Sequence, residues 1–350
     1  MAKKSYKILV VDDSSIIRQA IIAILESSEN LEVVGEAASG DEALAKIPKL
    51  KPDLITLDVI MPNMNGLTTL KYIMIFHPTP TVMLSSLTQE GASITFDALR
   101  YGAIDFISKP SNLENNALGV KKEEIIRKVC MAAKVRTSAI QYIRVKANEN
   151  TLLVSRQGCK NIVVLGVAEG GYGALLKIVP KLTVTDSTAY MIIFYETSVH
   201  VDGFIEYLNH YSAISVQRPF NNTLLKAGVC YISSGEEYVT AHGERGNLTA
   251  HVSPAPFSMR RGSIDMLMFS VAEILGRRSI GAILSGAGSD GAEGLEEIVR
   301  VGGNAIIQSP VSCLYKSMAL SALNLCEAEV VVADMEIAAE INNFLVNSAN

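Results

Sequence analysis

The sequence predicts an α/β protein built from two doubly wound domains. Three observations indicate this class: the chain has 350 residues, β-forming runs alternate with amphipathic helical patterns, and that alternation is interrupted once. A single hydrophobic core rarely grows past about 250 to 300 residues, so the length favours two cores. Strands that alternate with helices pair in parallel, and ligands of such sheets bind at the carboxyl ends of the strands.

The first domain is predicted from five strand and helix repeats between Tyr6 and Pro110. Its strand segments are, in order, YKILVV, LEVVGEA, DLITLDV, TVMLSS and AIDFIS. Helical periodicity is clearest in the segments SIIRQAIIAILES and GDEALAKIPKL. The pattern predicts a five-stranded parallel sheet with helices on its two faces.

The alternation stops after Pro110 and resumes at Asn161. The intervening sequence contains a charged helical stretch, VKKEEIIRKVCMAAKV, and ends in the polar segment NENTLLVSRQGCKN, as is typical of a partly helical linker. We assign 1–125 to the first domain, 126–160 to a linker and 161–350 to the second domain.

The second domain is predicted to be a larger α/β domain with a mostly parallel sheet. Its strand segments are NIVVLGV, AYMIIFY, VCYIS, SIGAILS, NAIIQS and AEVVVAD. Two turns in it are rich in glycine: GVAEGG, Gly166 to Gly171, and LSGAGSDGAEGL, Leu284 to Leu295. Neither turn has the Gly-Lys-Ser/Thr of a phosphate-binding loop or GxGxxG spacing, so the sequence does not favour nucleotide binding.

Composition disfavours several classes of protein. A net charge of −5 gives no general reason to expect binding to nucleic acid or to an anionic membrane. The five cysteines are scattered and never form a CxxC pair, which argues against a disulfide framework and a zinc cluster. The N-terminal sequence MAKKSYKILVVDD meets acidic residues after a short apolar run, unlike a signal peptide or a spanning helix. We expect a cytoplasmic protein.

Acidic side chains follow two strands of the first domain. Asp12 and Asp13 end the first strand, in VVDDSS, and Asp58 ends the third, in LDVIMPNMNG. If these strands are neighbours, three carboxylates converge at one edge and repel one another, and a hard divalent cation such as Mg²⁺ is the usual compensation. Asp58 is then a candidate nucleophile for phosphoryl transfer.

Two further strand ends carry polar groups that suit a phosphoryl group. The fourth strand ends at Ser85, whose hydroxyl can bond a phosphoryl oxygen, and the fifth leads to Lys109, whose ammonium can neutralise one. A single charge at a strand end is often only a solvated loop charge. Matching groups on four strand ends favour a site instead.

These motifs, VVDDS, LDVIMPNMNG, SSLT and GAIDFISKP, resemble those of a response-regulator receiver domain over roughly residues 5 to 125. The resemblance implies phosphotransfer from a histidine kinase to Asp58. It also implies a Mg²⁺ ion held by Asp12, Asp13, Asp58 and the backbone carbonyl of Ile60.

The same resemblance implies a switch. Ser85 would follow the phosphoryl group, Lys109 would contact it, and Phe106 would change rotamer, so that one local charge repacks a distant surface. The alternative for Phe106 is an ordinary core aromatic.

The two glycine-rich turns, taken with the receiver motifs, resemble the chemotaxis protein-glutamate methylesterase family of the CheB type over essentially the whole chain. LSGAGSDGAEGL is similar to the aspartate loop of that family, and MRRGSIDMLMFSVAEILG is similar to the segment before it. In the family, a serine in the turn GASTGG attacks a receptor glutamyl methyl ester, a histidine accepts its proton and an aspartate orients the histidine. The resemblance therefore implies methyl-accepting chemoreceptors, or their tails, as partners.

Carried over position by position, the triad becomes Ala168, Tyr195 and Asp290. Alanine cannot form an acyl-enzyme, and loss of a triad nucleophile typically costs roughly 10⁶ in kcat. A phenol with a pKa near 10 is only about 0.1% ionised at neutral pH and is a poor base.

Two hypotheses follow for the whole chain. The first is a phosphorylation-controlled binding module that retains the methylesterase scaffold. The second is an active methylesterase and glutamine deamidase with relocated catalytic groups, for which the candidates nearest in sequence are Glu169, Thr197, Ser198 and His200. A DNA-binding regulator fits poorly because the second domain is large, α/β and not basic.

Overall fold

The computed structural model describes residues 5–85, 89–109, 117–135, 143, 158–244, 246–254, 262–328 and 330–347. The chain divides into two compact units, Met1–Arg144 and Val145–Asn350. This division falls within the segment that the sequence assigns to a linker, of which positions 136–142 and 144–157 lie outside the described residues. Pro110 and the start of the MRRGS segment, at 259–261, also lie outside them.

The first unit contains the predicted five-stranded parallel sheet, in the order β2-β1-β3-β4-β5. Its strands are β1 (Tyr6–Val11), β2 (Leu31–Ala37), β3 (Leu54–Asp58), β4 (Thr81–Ser85) and β5 (Asp105–Ser108). Its helices are α1 (Ser15–Glu26), α2 (Gly40–Leu50), α3 (Gly66–Phe76), α4 (Gln89–Arg100) and α5 (Ala117–Ala132). Strands β3 and β4 are buried at every residue, because a parallel sheet is covered on both faces.

Ser14 and Gly66 determine how two helices of this unit begin. Ser14 accepts a hydrogen bond from the Ile17 N–H and so begins α1 directly after the acidic pair that ends β1. Gly66 begins α3 against β3, where a Cβ would lie 1.9 Å from the carbonyl oxygen of Asp58. The helix can therefore pack closely on the strand end that carries Asp58.

The second unit contains a seven-stranded parallel sheet, in the order β15-β14-β13-β6-β7-β10-β8, and a three-stranded antiparallel sheet, in the order β11-β12-β9. Its strands are β6 (Asn161–Val167), β7 (Thr188–Phe194), β8 (Ser215–Gln217), β9 (Thr223–Leu224), β10 (Val229–Ser234), β11 (Glu237–Glu244), β12 (Asn247–Pro254), β13 (Ser279–Ile283), β14 (Asn304–Gln308) and β15 (Val330–Val332). Its helices are α6 (Tyr172–Ile178), α7 (Ser198–Tyr211), α8 (Ser263–Leu275), α9 (Ala292–Arg300), α10 (Ser317–Leu325) and α11 (Asp334–Asn347), with 3₁₀ turns at Val179–Lys181 and Gly276–Arg278.

All six strand segments predicted for this unit form strands of the parallel sheet. The sequence analysis missed β8 and the antiparallel sheet, whose hairpin pairs β11 with β12. The hairpin buries small or short apolar side chains such as Val239 and Ala241, and it exposes His242 and His251 on its other face. A strand with so few large apolar residues gives a weak alternation signal.

The core beside the first glycine-rich turn is aromatic. The Tyr172 ring, at the start of α6, packs edge-to-face on Phe194 of β7 and Phe204 of α7, with ring centroids 4.6 and 5.0 Å apart. These contacts hold both helices on β7 and so fix the turn that joins β6 to α6.

None of the described helices combines the length and hydropathy that a membrane crossing requires.

Candidate functional site

Three carboxylates meet at the carboxyl edge of the first unit's sheet. β1 and β3 are paired in parallel, with Val11 opposite Leu57, so their ends lie side by side. Each of Asp12, Asp13 and Asp58 places a carboxylate oxygen within 4.8 Å of the others. Asp12 and Asp58 are buried, whereas Asp13 is exposed. The structure thus brings together the acidic residues that the sequence singled out.

Lys109 lies directly against two of these carboxylates. Its Nζ is 2.8 Å from Asp12 Oδ2 and 2.7 Å from Asp58 Oδ2. Burial acts to lower the pKa of Lys109, but the contacts with Asp12 and Asp58 outweigh it and the pKa is raised. Burial raises the pKa of Asp58 to about 6, with the Lys109 ammonium opposing that rise. Asp58 is therefore mostly ionised at neutral pH, as a nucleophile must be.

The donor set of this cluster suits a hard divalent cation. Backbone N–H groups orient two of the carboxylates: Asp12 Oδ1 accepts from Ser14 at 2.9 Å, and Asp58 Oδ1 accepts from Ile60 at 3.2 Å. The second oxygens, Oδ2 of Asp12 and Asp58, share the Lys109 ammonium. The cluster consists of aspartate oxygens without imidazole or thiolate ligands, the chemistry that Mg²⁺ prefers.

Two of the three predicted switch residues, Ser85 and Phe106, are buried in this conformation. Thr95 of α4 donates a hydrogen bond from Oγ1 to Ser85 Oγ, at 3.0 Å. Phe106 of β5 is 1% exposed and packs edge-to-face on Phe96, with ring centroids 6.2 Å apart. Packing of this kind suits a core aromatic and equally an inward rotamer of a switch. Thr95 and Phe96 could not be predicted from the sequence, because no local motif marks them.

At the first glycine-rich turn of the second unit, Ala168 follows β6. Its N–H donates to the carbonyl of Ser285 at 3.0 Å, and its carbonyl accepts from Gly171 at 3.0 Å. Between them Gly170 has φ +74°, in the left-handed region that glycine adopts readily. Ala168 is 1% exposed, and a Cβ on Gly286 of the second glycine-rich loop would lie 2.7 Å from its methyl group. The turn is closely packed around a methyl group.

Tyr195 follows β7 and reaches the second glycine-rich loop. Its hydroxyl donates to Asp290 Oδ2 and accepts from the Ser263 N–H at 3.3 Å. Its ring lies on Gly235, where a Cβ would be 1.9 Å from the ring. Tyr195 and Ala168 belong to the same buried apolar cluster. The structure therefore joins Tyr195 to Asp290 and places Ala168 in the same buried cluster as Tyr195.

Asp290 caps helix α8. Its Oδ2 accepts from the Ile264 N–H at 3.0 Å and its Oδ1 accepts from the Asp265 N–H at 3.2 Å. Gly262, at the N-cap of α8, supplies no side-chain hydrogen bond. The first N–H groups of a helix lack intrahelical partners, and an anion is favourable there. With the Ser263 N–H bonded to Tyr195, the first three N–H groups of α8 are satisfied by the Tyr195 and Asp290 pair.

The protonation state of Tyr195 beside Asp290 does not suit base catalysis. Burial and the neighbouring Asp290 raise the pKa of Tyr195 well above its usual value, so the phenol stays protonated. Burial, together with a hydrogen bond to Asp290, raises the pKa of Asp265 to about 7. Asp265 Oδ1 accepts from the Gly294 N–H at 2.7 Å, which links α8 to α9.

The alternative catalytic candidates each have a partner. Glu169 Oε2 accepts from a backbone N–H of the second glycine-rich loop at 3.3 Å. Thr197 caps α7 by accepting from the His200 N–H, at 3.4 Å. Ser198 Oγ donates to Glu236 Oε2 at 2.8 Å, and His200 Nδ1 lies 3.0 Å from the carboxylate of the glutamate four residues before it. The Glu169 contact joins the two glycine-rich turns, and the other contacts stabilise the start of α7.

Two family models match the chain in the two units. Residues 163–341 match the CheB methylesterase family, and residues 8–118 match the response regulator receiver domain. Curated relatives match nearly the whole chain. A protein-glutamate methylesterase/protein-glutamine glutaminase from Archaeoglobus fulgidus is 36% identical over 343 residues, covering 97% of this chain and 98% of the relative. The chain belongs to the CheB methylesterase family.

Other CheB relatives agree with that assignment. The protein of the same name from Pyrococcus abyssi is 34% identical over 340 residues, 94% of this chain and 90% of the relative. One from Xanthomonas oryzae pv. oryzae is 36% identical over 338 residues, 93% of each chain. The chain is thus a CheB-family response regulator with a receiver domain followed by a methylesterase domain.

Solved structures of CheB domains are similar to parts of the chain. The CheB methylesterase catalytic domain of Thermotoga maritima is 22% identical, with a TM-score of 0.49, over 52% of this chain and 96% of that one. The response regulator domain of Thermotoga maritima CheB is 44% identical, with a TM-score of 0.35, over 38% of this chain and 99% of that one.

Proposed function

We propose that this CheB-family chain is a phosphorylation-controlled signalling or binding module that does not hydrolyse esters. The observation that carries the proposal is the geometry around Asp290. By its resemblance to the family's triad, Ala168 stands where the family has its attacking serine. Tyr195 and Asp290 make hydrogen bonds that cap α8. The scaffold of the hydrolase remains while its reactive groups serve packing.

Acyl transfer needs an atom that can attack the ester carbonyl. Ala168 offers none, and the protonated phenol of Tyr195 donates a hydrogen bond to Asp290 and cannot accept a proton as a base would. Both carboxylate oxygens of Asp290 accept hydrogen bonds from the start of α8. Removal of a helix cap lowers stability by about 0.5–2 kcal/mol. The capping contacts therefore give Asp290 a structural role that needs no catalysis.

The receiver domain supplies the control. In this proposal Asp58 takes a phosphoryl group from a histidine kinase of a chemotaxis pathway. Mg²⁺ would be held by Asp12, Asp13, Asp58 and the Ile60 carbonyl, and its charge would offset that of the phosphoryl oxygens. Lys109 already lies at Asp58 and can neutralise a further oxygen. Ser85 and Phe106 would respond to the new charge.

The proposed partners are the kinase and the methyl-accepting chemoreceptors or their tails. A module with a working receiver and an inert second domain can compete with an active relative for phosphoryl groups or for receptors. The first role needs only the phosphoacceptor site of the receiver, and the second needs only a binding surface.

The decisive test pairs two assays on the purified chain. Phosphorylation by acetyl phosphate is measured on the unmodified protein and on Asp58→Asn, while methanol release is measured from methylated receptor. We expect phosphorylation that depends on Asp58 and no methanol above the level without protein. Methanol release that disappears in Glu169→Ala or His200→Ala would instead support the alternative, an active methylesterase and deamidase with relocated groups.

A further inference from the structure

Helix α5 carries a buried lysine that contacts the predicted switch residue. The Lys128 side chain is 6% exposed, which is rare for lysine. Its Nζ donates to the carbonyl oxygen of Phe106 at 3.0 Å and lies 5.4 Å from the centroid of the Phe106 ring. One ammonium group therefore touches both the backbone and the ring of the same residue.

Two carboxylates hold that ammonium in place. Lys128 Nζ lies 3.8 Å from Asp105 Oδ2 and 3.7 Å from Glu124 Oε1, one turn earlier on α5. Asp105 Oδ1 in turn accepts from the Phe106 N–H at 2.8 Å. The Phe106 peptide is thus bonded at its N–H by Asp105 and at its carbonyl by Lys128, which ties β5 to α5 at the switch.

We infer that Lys128 is a positioning residue that holds Phe106 in its buried rotamer until Asp58 is phosphorylated. This inference rests on the proposed role of Phe106 as a switch. The contact with the ring exists only while the ring is inward, so it stabilises that rotamer selectively. A contact made in one of two conformers shifts their populations by its own free energy.

Loss of the ammonium should raise the outward population of Phe106. A cation–π contact shielded from solvent is worth enough to change an equilibrium by about tenfold. Because the coupling between occupancy of the phosphoryl site and the outward rotamer is reciprocal, a loosened Phe106 should also raise the affinity of that site for the phosphoryl analogue beryllofluoride. Lys128→Met removes the charge and keeps a side chain of similar length.

The test uses the full chain labelled with fluorophenylalanine, with the Phe106 signal identified from its absence in Phe106→Leu. Spectra are recorded for the unmodified protein, Lys128→Met, and Lys122→Met as an exposed control on the same helix. Without phosphodonor, the Phe106 signal of Lys128→Met should lie towards its position in the unmodified protein saturated with Mg²⁺ and beryllofluoride. Lys122→Met should not change it.

The affinity for beryllofluoride in the presence of Mg²⁺ should rise about tenfold in Lys128→Met and stay unchanged in Lys122→Met. Lys128→Arg, which keeps the charge, should restore the lower affinity. A folded Lys128→Met protein with an unshifted Phe106 signal, or with an unchanged or lower affinity, would overturn the inference. If the unmodified protein takes no phosphoryl group, the proposed function fails, while the spectra taken without phosphodonor still decide the role of Lys128.

Discussion

Replacement of Tyr195 by phenylalanine separates a structural role from a catalytic one. The substitution removes one oxygen that donates to Asp290 and accepts from the buried Ser263 N–H at 3.3 Å. A hydrogen bond to a charged group contributes about 1.5–3 kcal/mol, and the unpaired N–H adds a further cost. We expect the free energy of unfolding of the second domain to fall by about 3 kcal/mol.

A matched control lies on β7, the strand that Tyr195 follows. The Tyr190 hydroxyl donates to the carbonyl of Thr183 at 2.8 Å, a contact between neutral groups. Tyr190→Phe should therefore cost only about 1 kcal/mol. Domains of this size lose roughly 2–4 °C of Tm per kcal/mol, so we expect a fall of about 6–12 °C for Tyr195→Phe and about 2–4 °C for Tyr190→Phe.

The assay combines calorimetry of the full chain with hydrogen exchange at the start of α8. Exchange of the Ser263 amide should be faster in Tyr195→Phe and unchanged in Tyr190→Phe. If Tyr195→Phe destabilises the domain no more than Tyr190→Phe does, and the Ser263 amide stays protected, then the Tyr195 and Asp290 pair does not serve as the cap of α8.

Three further predictions concern protonation, catalysis and phosphorylation. Because the pKa of Asp265 is raised from 3.8 to about 7 in the folded chain, the folded state holds its proton more tightly, so this stabilisation is present below about pH 4 and is lost as the pH rises to 7. In denaturant titrations from pH 4 to 8, the free energy of unfolding should fall with rising pH in the unmodified protein and fall less in Asp265→Asn. An equal pH dependence in the two proteins would refute the assignment. Ala168→Ser alone should release no methanol from methylated receptor, because no base is present, whereas Ala168→Ser with Tyr195→His should release a trace; full activity from the single variant would contradict the role given to Tyr195. Asp58→Asn should abolish labelling by acetyl phosphate, and retention of the label would place the phosphoacceptor elsewhere.

The acidic cluster was predictable from sequence because of a property of parallel sheets. Residues that end neighbouring strands must meet at one edge, so Asp12, Asp13 and Asp58 could be placed together before any coordinates. The position of Lys109 at this edge could be predicted from the same rule. The rule gives proximity but not contact, and the ion pairs that Lys109 makes with Asp12 and Asp58 came only from the structure.

The contacts that explain the second domain could not be predicted in the same way. Capping of α8 by Asp290 joins a loop to a helix 26 positions away in sequence, and the Tyr195 hydroxyl completes it from 68 positions away. Local sequence shows only a glycine before α8, where a capping side chain is usual. The contact between Lys128 and Phe106 could not be predicted either, because the sequence around Lys128 indicates only a charged amphipathic helix. Tertiary partners of single polar groups leave no periodic signal.

The most direct measurement is methanol release from methylated receptor by the unmodified chain after full phosphorylation of Asp58. Stoichiometric phosphorylation with no methanol above the level without protein is the result that the geometry at Ala168, Tyr195 and Asp290 predicts. Sustained turnover of the methyl ester by the phosphorylated protein would contradict it, and would show that another side chain supplies the attacking group.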